Sequence, residues 1–241
     1  MTAPWGFGFL SLLFPEKCLF CRRVYLRERQ DRPGLCPECE KDLIWIQPPF
    51  CPRCQQPFSA GTDTHLCPAC LQDKPFFDLA RAAVVYQGKM AGVIQRFKYH
   101  GDITLAADLG LFWDRVDLSA IPFEMIIPVP LHPQRLRKRG FNQAVLLAKD
   151  LARKTGRDLS VRTLKRIRNT VPQVELAFEE RQKNVRGAFA VKNKSAITDK
   201  KILLIDDVFT TGATVNECAR VLKKAGAGEV FVLTLARVGL T

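Results

Sequence analysis

The sequence predicts an α/β fold: a parallel sheet flanked by helices, with a small cysteine-rich domain in front of it. Three observations predict it. From about Phe77 onward, apolar runs of strand length alternate with amphipathic helical stretches. Eight of the nine cysteines stand in four C-x-x-C pairs, all within the first 70 residues. One strand-like run, ILLIDDVFTTGAT (Ile202 to Thr214), passes from apolar residues into two aspartates and then into a small polar loop.

The 241 residues divide into a smaller part, 1–76, and an α/β part, 77–241. With 47% hydrophobic residues the chain can bury a core, which excludes wholesale disorder. The formal charge is +13, unevenly spread. Residues 1–80 hold nine basic and nine acidic side chains, so the excess lies beyond them. Leu131 to Arg168 alone carries twelve basic residues against Asp150 and Asp158. Such a surplus suits a polyanionic partner, phosphates or nucleic acid, or else a solvated basic face.

No run reaches the ~20 apolar residues of a membrane span. The N-terminal WGFGFLSLLF lacks a basic flank and a small-residue cleavage site, so a short amphipathic helix docked on the body is expected there, not an export signal. A reducing, cytoplasmic setting follows, and with it metal ligation rather than disulfides.

The pairs are Cys18/Cys21, Cys36/Cys39, Cys51/Cys54 and Cys67/Cys70. One C-x-x-C turn points two thiolates at one ion, and a second completes the tetrahedron that Zn2+ prefers. Pairing in sequence order closes each unit locally, giving two zinc ribbons in series with two structural zinc sites. A unit this small cannot bury much core, so metal would supply much of its folding free energy. His65 is expected at the surface, and Cys218 as a small core residue.

In the second part, ARAAVVY reads as a strand. MAGVIQRFKY and ITLAADLGLFWDRV read as helices broken at Gly101-Asp102. MIIPVP reads as a buried strand. FNQAVLLAKDLARKT reads as an amphipathic helix with Phe141, Val145, Ala148 and Leu151 on its apolar face. A basic, polar stretch runs to Asn184. GAFAV and KILLI are strands, TVNECARVLKKAG is a helix stopped by Gly226, and VFVLTLA is the last strand. In parallel sheets ligands sit beyond the carboxyl ends of the strands, where Asp206 and Asp207 fall. The loop Thr210, Thr211, Gly212, Ala213, Thr214 then opens a helix. Backbone N–H groups, a helix N-terminus and hydroxyls make a phosphate cradle. Carboxylates beside it suit ribose hydroxyls or hydrated Mg2+. Together they fit a ribose 5-phosphate.

ILLIDDVFTTGAT closely resembles the phosphoribosyl-pyrophosphate (PRPP) motif of type I phosphoribosyltransferases. The resemblance implies that Asp206 and Asp207 bind the ribose hydroxyls, and that Thr210 to Thr214 bind the 5′-phosphate, with Mg2+ accompanying PRPP. IPVPLHPQRLRKRGFNQ resembles the pyrophosphate-loop region of those enzymes but departs from it after the prolines. That style, the segment RNTVPQVELAFEERQKNVRGAF and the cysteine-rich N-terminus resemble the ComF family, named for competence protein F. The resemblance covers nearly the whole chain and implies a part in DNA uptake during natural transformation. Candidate pyrophosphate ligands are Arg139, Gly140 and Asn142, with Lys98. Arg181 belongs to a basic segment, Leu164 to Arg181, that corresponds to a mobile lid. No catalytic base is assigned, since neither His100 nor His132 has a carboxylate partner in sequence. Two functions stay open: a phosphoribosyltransferase with an unidentified acceptor, or a PRPP-sensing or single-stranded-DNA-binding competence factor. Partners are accordingly PRPP, and single-stranded DNA or a DNA-uptake protein.

Overall fold

The structure, a computed structural model, describes residues 17–25, 34–58, 63–171 and 178–239. The helix expected over WGFGFLSLLF lies outside the described residues. Five parallel strands form the main sheet in the order β1-β7-β6-β2-β3. They are β1 (Leu79–Val85), β2 (Met125–Pro128), β3 (Asp158–Leu159), β6 (Ile202–Phe209) and β7 (Val230–Arg237). The short β4 (Leu164–Arg166) and β5 (Phe189–Val191) pair antiparallel beside it.

β6 is covered on both faces, as its unbroken apolar start requires. Leu203 and Ile205 enter one core, and Ile202 and Leu204 the other. On the first face lie α3 (Gly88–Tyr99), α4 (Leu105–Gly110) and α6 (Gln143–Thr155). α3 buries Met90, Val93, Ile94 and Phe97, the i, i+3, i+4, i+7 stripe of a one-faced helix. On the second face lies α8 (Ala213–Lys224), which buries Val215, Cys218, Ala219 and Leu222. Fully burying a large apolar side chain contributes roughly 1.5–3 kcal/mol. α8 ends as expected: Gly226, at φ +101°, donates to the Lys223 carbonyl, and Ala227 donates to that of Leu222.

Three expectations are corrected. α6 begins at Gln143, because the Asn142 side chain caps it by accepting from the Ala144 amide. Phe141 therefore precedes the helix, and the buried stripe is Ala144, Leu147, Ala148 and Leu151, with Val145 only half-buried. The helix expected over ITLAADLGLFWDRV is shorter: α4 tightens into a 3-10 turn over Leu111–Arg115 that buries Phe112 and Trp113. The basic stretch that runs to Asn184 contains β3, β4 and most of α7 (Phe178–Val185). β4 alternates Leu164 and Arg166 inward with Lys165 outward, a pattern hidden by its charge.

The cysteine units repeat in three dimensions. Cys18 donates to the Arg23 carbonyl and accepts from the Arg22 amide. Cys51 does the same with Gln56 and Gln55. Arg22 and Gln55 share a left-handed backbone, at φ 62° and 59°. Cys36 and Cys67 cap α1 (Pro37–Lys41) and α2 (Pro68–Gln72), with Pro at the first helical position. The prolines of CPEC and CPAC thus open one-turn helices. The units are built into the sheet's surroundings. Ile46 donates to the Ala83 carbonyl and Ala80 to the Arg53 carbonyl, covering the outer edge of β1. The first unit packs into the core beneath α3, the second into the core beneath α8.

Candidate functional site

The chain order of the sheet creates a crevice. β2 leads through α6 outward to β3, while β6 leads through α8 outward to β7 in the other direction. The carboxyl ends of β2 and β6, neighbours in the sheet, therefore open between diverging crossovers, where α/β folds place ligands. A cleft of about 170 Å3 lies there, walled by Val129 to Leu131 after β2, by Asp206 to Phe209 on β6 and by Thr210 after it.

Asp206 and Asp207 lie within β6, followed in the strand by Val208 and Phe209. Adjacent strand residues point to opposite faces. Asp207, which is buried, meets Lys98 at the end of α3, Nζ to Oδ1 2.8 Å. Asp206 Oδ1 accepts from the Asp207 amide at 2.9 Å. Burial and the charge of Asp207 push the Asp206 pKa up to about 7, against the pull of Lys98 and Arg166. Burial works against the Lys98 ammonium, but Asp207 outweighs it and the Lys98 pKa is raised. Two adjacent carboxylates lining one cleft suit a cation or several hydroxyl donors, and Lys98 already pairs with one of them.

Beyond Phe209 the chain turns through Thr210, Thr211 and Gly212 into α8. Gly212 has φ +79°, and a Cβ there would stand 2.5 Å from Cζ of Phe209. Glycine is required twice, for the turn and for the close approach. Thr211 Oγ1 accepts from the Ala213 amide at 3.3 Å and fixes the first turn of α8, whose positive end faces the loop.

Arginines line the opposite wall. α5 (Pro133–Arg139) supplies Arg135 and Arg139, and β4 supplies Arg166. Arg139 donates to Gln143 Oε1 at 2.8 Å and lies over the Tyr99 ring at 5.1 Å. Gln143, fully buried, donates in turn to the carbonyls of Phe97 and Lys98. One amide thus ties the Lys98 helix to the Arg139 turn. Arg166 stacks on Phe189 and donates to the Thr170 hydroxyl, while Arg135 donates to the Thr170 carbonyl. Burial, then repulsion from Arg135, lowers the Arg166 pKa to about 10.

Of the expected residues, Lys98, Arg139, Asn142, Asp206, Asp207, Thr210, Gly212 and Thr214 line this cleft. Gly140 does not. At φ +84° it ends α5, so that Asn142 can start α6 and donate to the Val129 carbonyl. Thr211, Ala213 and Arg181 line a neighbouring cavity of about 320 Å3, between the second cysteine unit and α7. In the described parts of the segment Leu164 to Arg181, expected as a lid, β4 pairs with β5, and Arg168 donates to the carbonyls of Asn184 and Arg186. Residues 172–177 lie outside the described residues. Reading the sequence did not single out Tyr99 or Gln143 for this cleft, and placed Arg166 only among the cations of the segment expected as a lid. For Gln143 the signal was present, a polar residue beside the Asn142 cap.

The eight paired cysteines gather into two groups of four, Cys18, Cys21, Cys36, Cys39 and Cys51, Cys54, Cys67, Cys70, with the sulfurs of each group within 4.8 Å of one another. Facing sulfurs stand 3.8 Å apart for Cys21–Cys36 and 3.6 Å for Cys54–Cys67. A tetrahedron with Zn–S bonds of about 2.3 Å has edges of about 3.8 Å. The donor set and spacing fit structural Zn2+. His65 stands apart from both groups, stacked on Phe58.

Comparison with known proteins agrees with this architecture. Residues 9–71 match the family described as double zinc ribbon domain, and residues 141–239 the phosphoribosyl transferase domain. The chain is 33% identical over 233 residues to competence protein F of Haemophilus influenzae, covering 93% of this chain and 98% of that protein. It is 30% identical over 232 residues to DNA utilization protein YhgH of Salmonella typhi, covering 94% and 99%. Among solved structures it is similar to the glutamine PRPP amidotransferase from B. subtilis complexed with ADP and GMP, at 18% identity and TM-score 0.33, covering 74% of this chain and 33% of that one. Among the described residues no helix is long and apolar enough to cross a membrane.

Proposed function

The chain belongs to the competence protein F (ComF) family, and from that premise we propose that the cleft binds PRPP with Mg2+ and serves transfer of its 5-phosphoribosyl group during DNA utilization. One observation carries the reading. Two aspartates at the switch point lead straight into a glycine-turned loop at a helix N-terminus, facing Lys98, Arg135 and Arg139. In this reading the loop Thr210 to Thr214 holds the 5′-phosphate, and Asp206 and Asp207 accept from the ribose hydroxyls. Arg139 and Arg135 face the diphosphate. Asp206 and Asp207 are the groups that would hold Mg2+, directly or through its water; the ion would neutralise charge on the departing diphosphate.

Transfer breaks the C1–O bond of the ribose and forms a bond from C1 to the acceptor, whose proton is lost as pyrophosphate leaves. The sugar becomes oxocarbenium-like on the way. The two carboxylates favour that positive charge, and the arginines favour the negative charge on the leaving group. Lys98 can serve either side, bound to Asp207 in the free protein.

The test is the proton balance of binding. Asp206, held near pH 7 in the free protein, must ionise to meet Mg2+ and ribose. Calorimetry at pH 6 in buffers of different ionisation enthalpy should show the wild type releasing about one proton more per PRPP than the Asp206→Asn chain, which shares the proton lost by the ligand's own phosphates, with affinity falling up to about tenfold more steeply per pH unit below that. The sign for stability is opposite. A carboxyl raised from 3.8 to about 7 makes the folded chain bind protons more tightly than the unfolded one. Its stabilising contribution is present at low pH and lost as pH rises through about 7. Equal proton release by the two chains, or binding independent of pH between 5.5 and 8, would contradict the reading.

A second reading, binding of single-stranded DNA, is favoured by the ten-charge surplus of Leu131 to Arg168 and by the names of the relatives. Salt separates the two. A single strand held at six phosphates loses about 300-fold in affinity between 50 and 200 mM salt, and a preformed PRPP cleft loses far less.

A further inference from the structure

Arg237 stands at the carboxyl end of β7, one strand from the loop that follows β6, and is only 6% exposed. Its guanidinium donates through Nη1 to the Cys54 carbonyl and through Nη2 to Gln56 Oε1. Its face covers the Phe209 ring, with 4.7 Å to the centroid. Phe77 meets that ring edge-on at 5.9 Å. The tip of the ring, at Cζ, fills the space that a Cβ of residue 212 would take. The Val238 amide donates to the Phe209 carbonyl, fixing the backbone beneath.

These contacts make one continuous bracket from the second cysteine group, through Cys54, Gln56, Arg237 and Phe209, to Gly212. Charge reinforces it. Burial lowers the Arg237 pKa, and Cys54, Cys67, Cys51 and Cys70 work against that and favour its positive form; four thiolates around Zn2+ would leave about −2. The first cysteine group packs elsewhere, into the core beneath α3, where Lys89 donates to Cys39.

We propose that Arg237 is a positioning residue that couples the second zinc site to the loop Thr210 to Thr214, so that zinc there holds the loop in its binding shape and a sugar phosphate in the loop holds that zinc. The proposal rests on the reading of the cleft as a ribose-phosphate site. Linkage makes the coupling reciprocal: what zinc does for the ligand, the ligand does for zinc. The fork geometry of the guanidinium is needed, since an ammonium cannot meet a carbonyl, an amide oxygen and a ring face together.

The experiment measures the zinc affinity of the full-length protein by equilibrium competition with a chromogenic chelator, with and without saturating ribose 5-phosphate. Cysteine alkylation identifies which group opens. Ribose 5-phosphate should tighten zinc binding at Cys51, Cys54, Cys67 and Cys70 by about tenfold and leave the other group unchanged. Arg237→Lys should still hold two zinc ions, lose that tightening, and bind ribose 5-phosphate about tenfold more weakly. Equal zinc affinity of the second group with and without ligand overturns the proposal, as does full tightening in Arg237→Lys. If that variant does not fold, the wild-type zinc affinities decide alone. A wild type that takes up neither ribose 5-phosphate nor PRPP in calorimetry overturns the reading of the cleft itself, and the proposal with it.

Discussion

Cys67→Ser is expected to leave the chain with one zinc ion instead of two and to abolish its cooperative folding. A structural zinc site contributes about 10 kcal/mol or more of folding free energy. A whole domain is stable by only roughly 5–15 kcal/mol. Here the loss does not stay local. Cys51, Cys54, Cys67 and Cys70 share a core with Phe77, Phe209, Val215 and Cys218, so the metal-free unit opens the face of the sheet that carries α8. Arg237 would also remain buried without the thiolates that favour its charge, and an uncompensated buried charge is costly. Near-UV circular dichroism and zinc stoichiometry on the purified variant check this. A variant with one zinc ion and a native melting transition would show that the unit is an appendage and not part of the core.

Gly212→Ala should remove PRPP binding, by at least a hundredfold, while most of the fold survives. The left-handed backbone at φ +79° costs a non-glycine residue roughly 1–2 kcal/mol. The new methyl also cannot sit 2.5 Å from Cζ of Phe209. The ring cannot yield, because Arg237 covers one side and Phe77 meets its edge. The loop must move instead, and a displacement of an ångström at a preorganised phosphate cradle costs about a hundredfold. Calorimetric affinity for PRPP, set beside the melting temperature, separates loss of the site from loss of the fold.

The parts of the fold legible in the sequence are those written locally. The cysteine spacing places two thiols on each turn within four residues, and the structure gathers them as sequential pairing expects. β6, its two aspartates and the loop after it are contiguous, so strand, turn and helix could be read off one segment. What escaped depends on distant partners or weak patterns. Arg237 works through Cys54, 183 residues away in sequence. Arg166 reads as one more surface cation until β5 pairs with its strand and offers Phe189 for stacking. Gln143 matters because α3 ends where its amide can reach Phe97 and Lys98. The register of α6 was misread although its signal was present: Asn142 is an N-cap residue, and it places Phe141 outside the helix. For Arg237, too, a cue existed. It is a charged residue closing a buried strand, the same feature that drew attention to Asp206 and Asp207.

The central claim is that Asp206 and Asp207 make the cleft a PRPP site, and one titration tests it most directly. Zinc-loaded wild-type protein is titrated with PRPP and Mg2+ in a calorimeter beside the doubly substituted Asp206→Asn, Asp207→Asn chain. The account predicts saturable binding by the wild type, and binding at least a hundredfold weaker by the variant, whose melting transition remains cooperative. Equal binding by both chains, or none by a folded wild type, would contradict it.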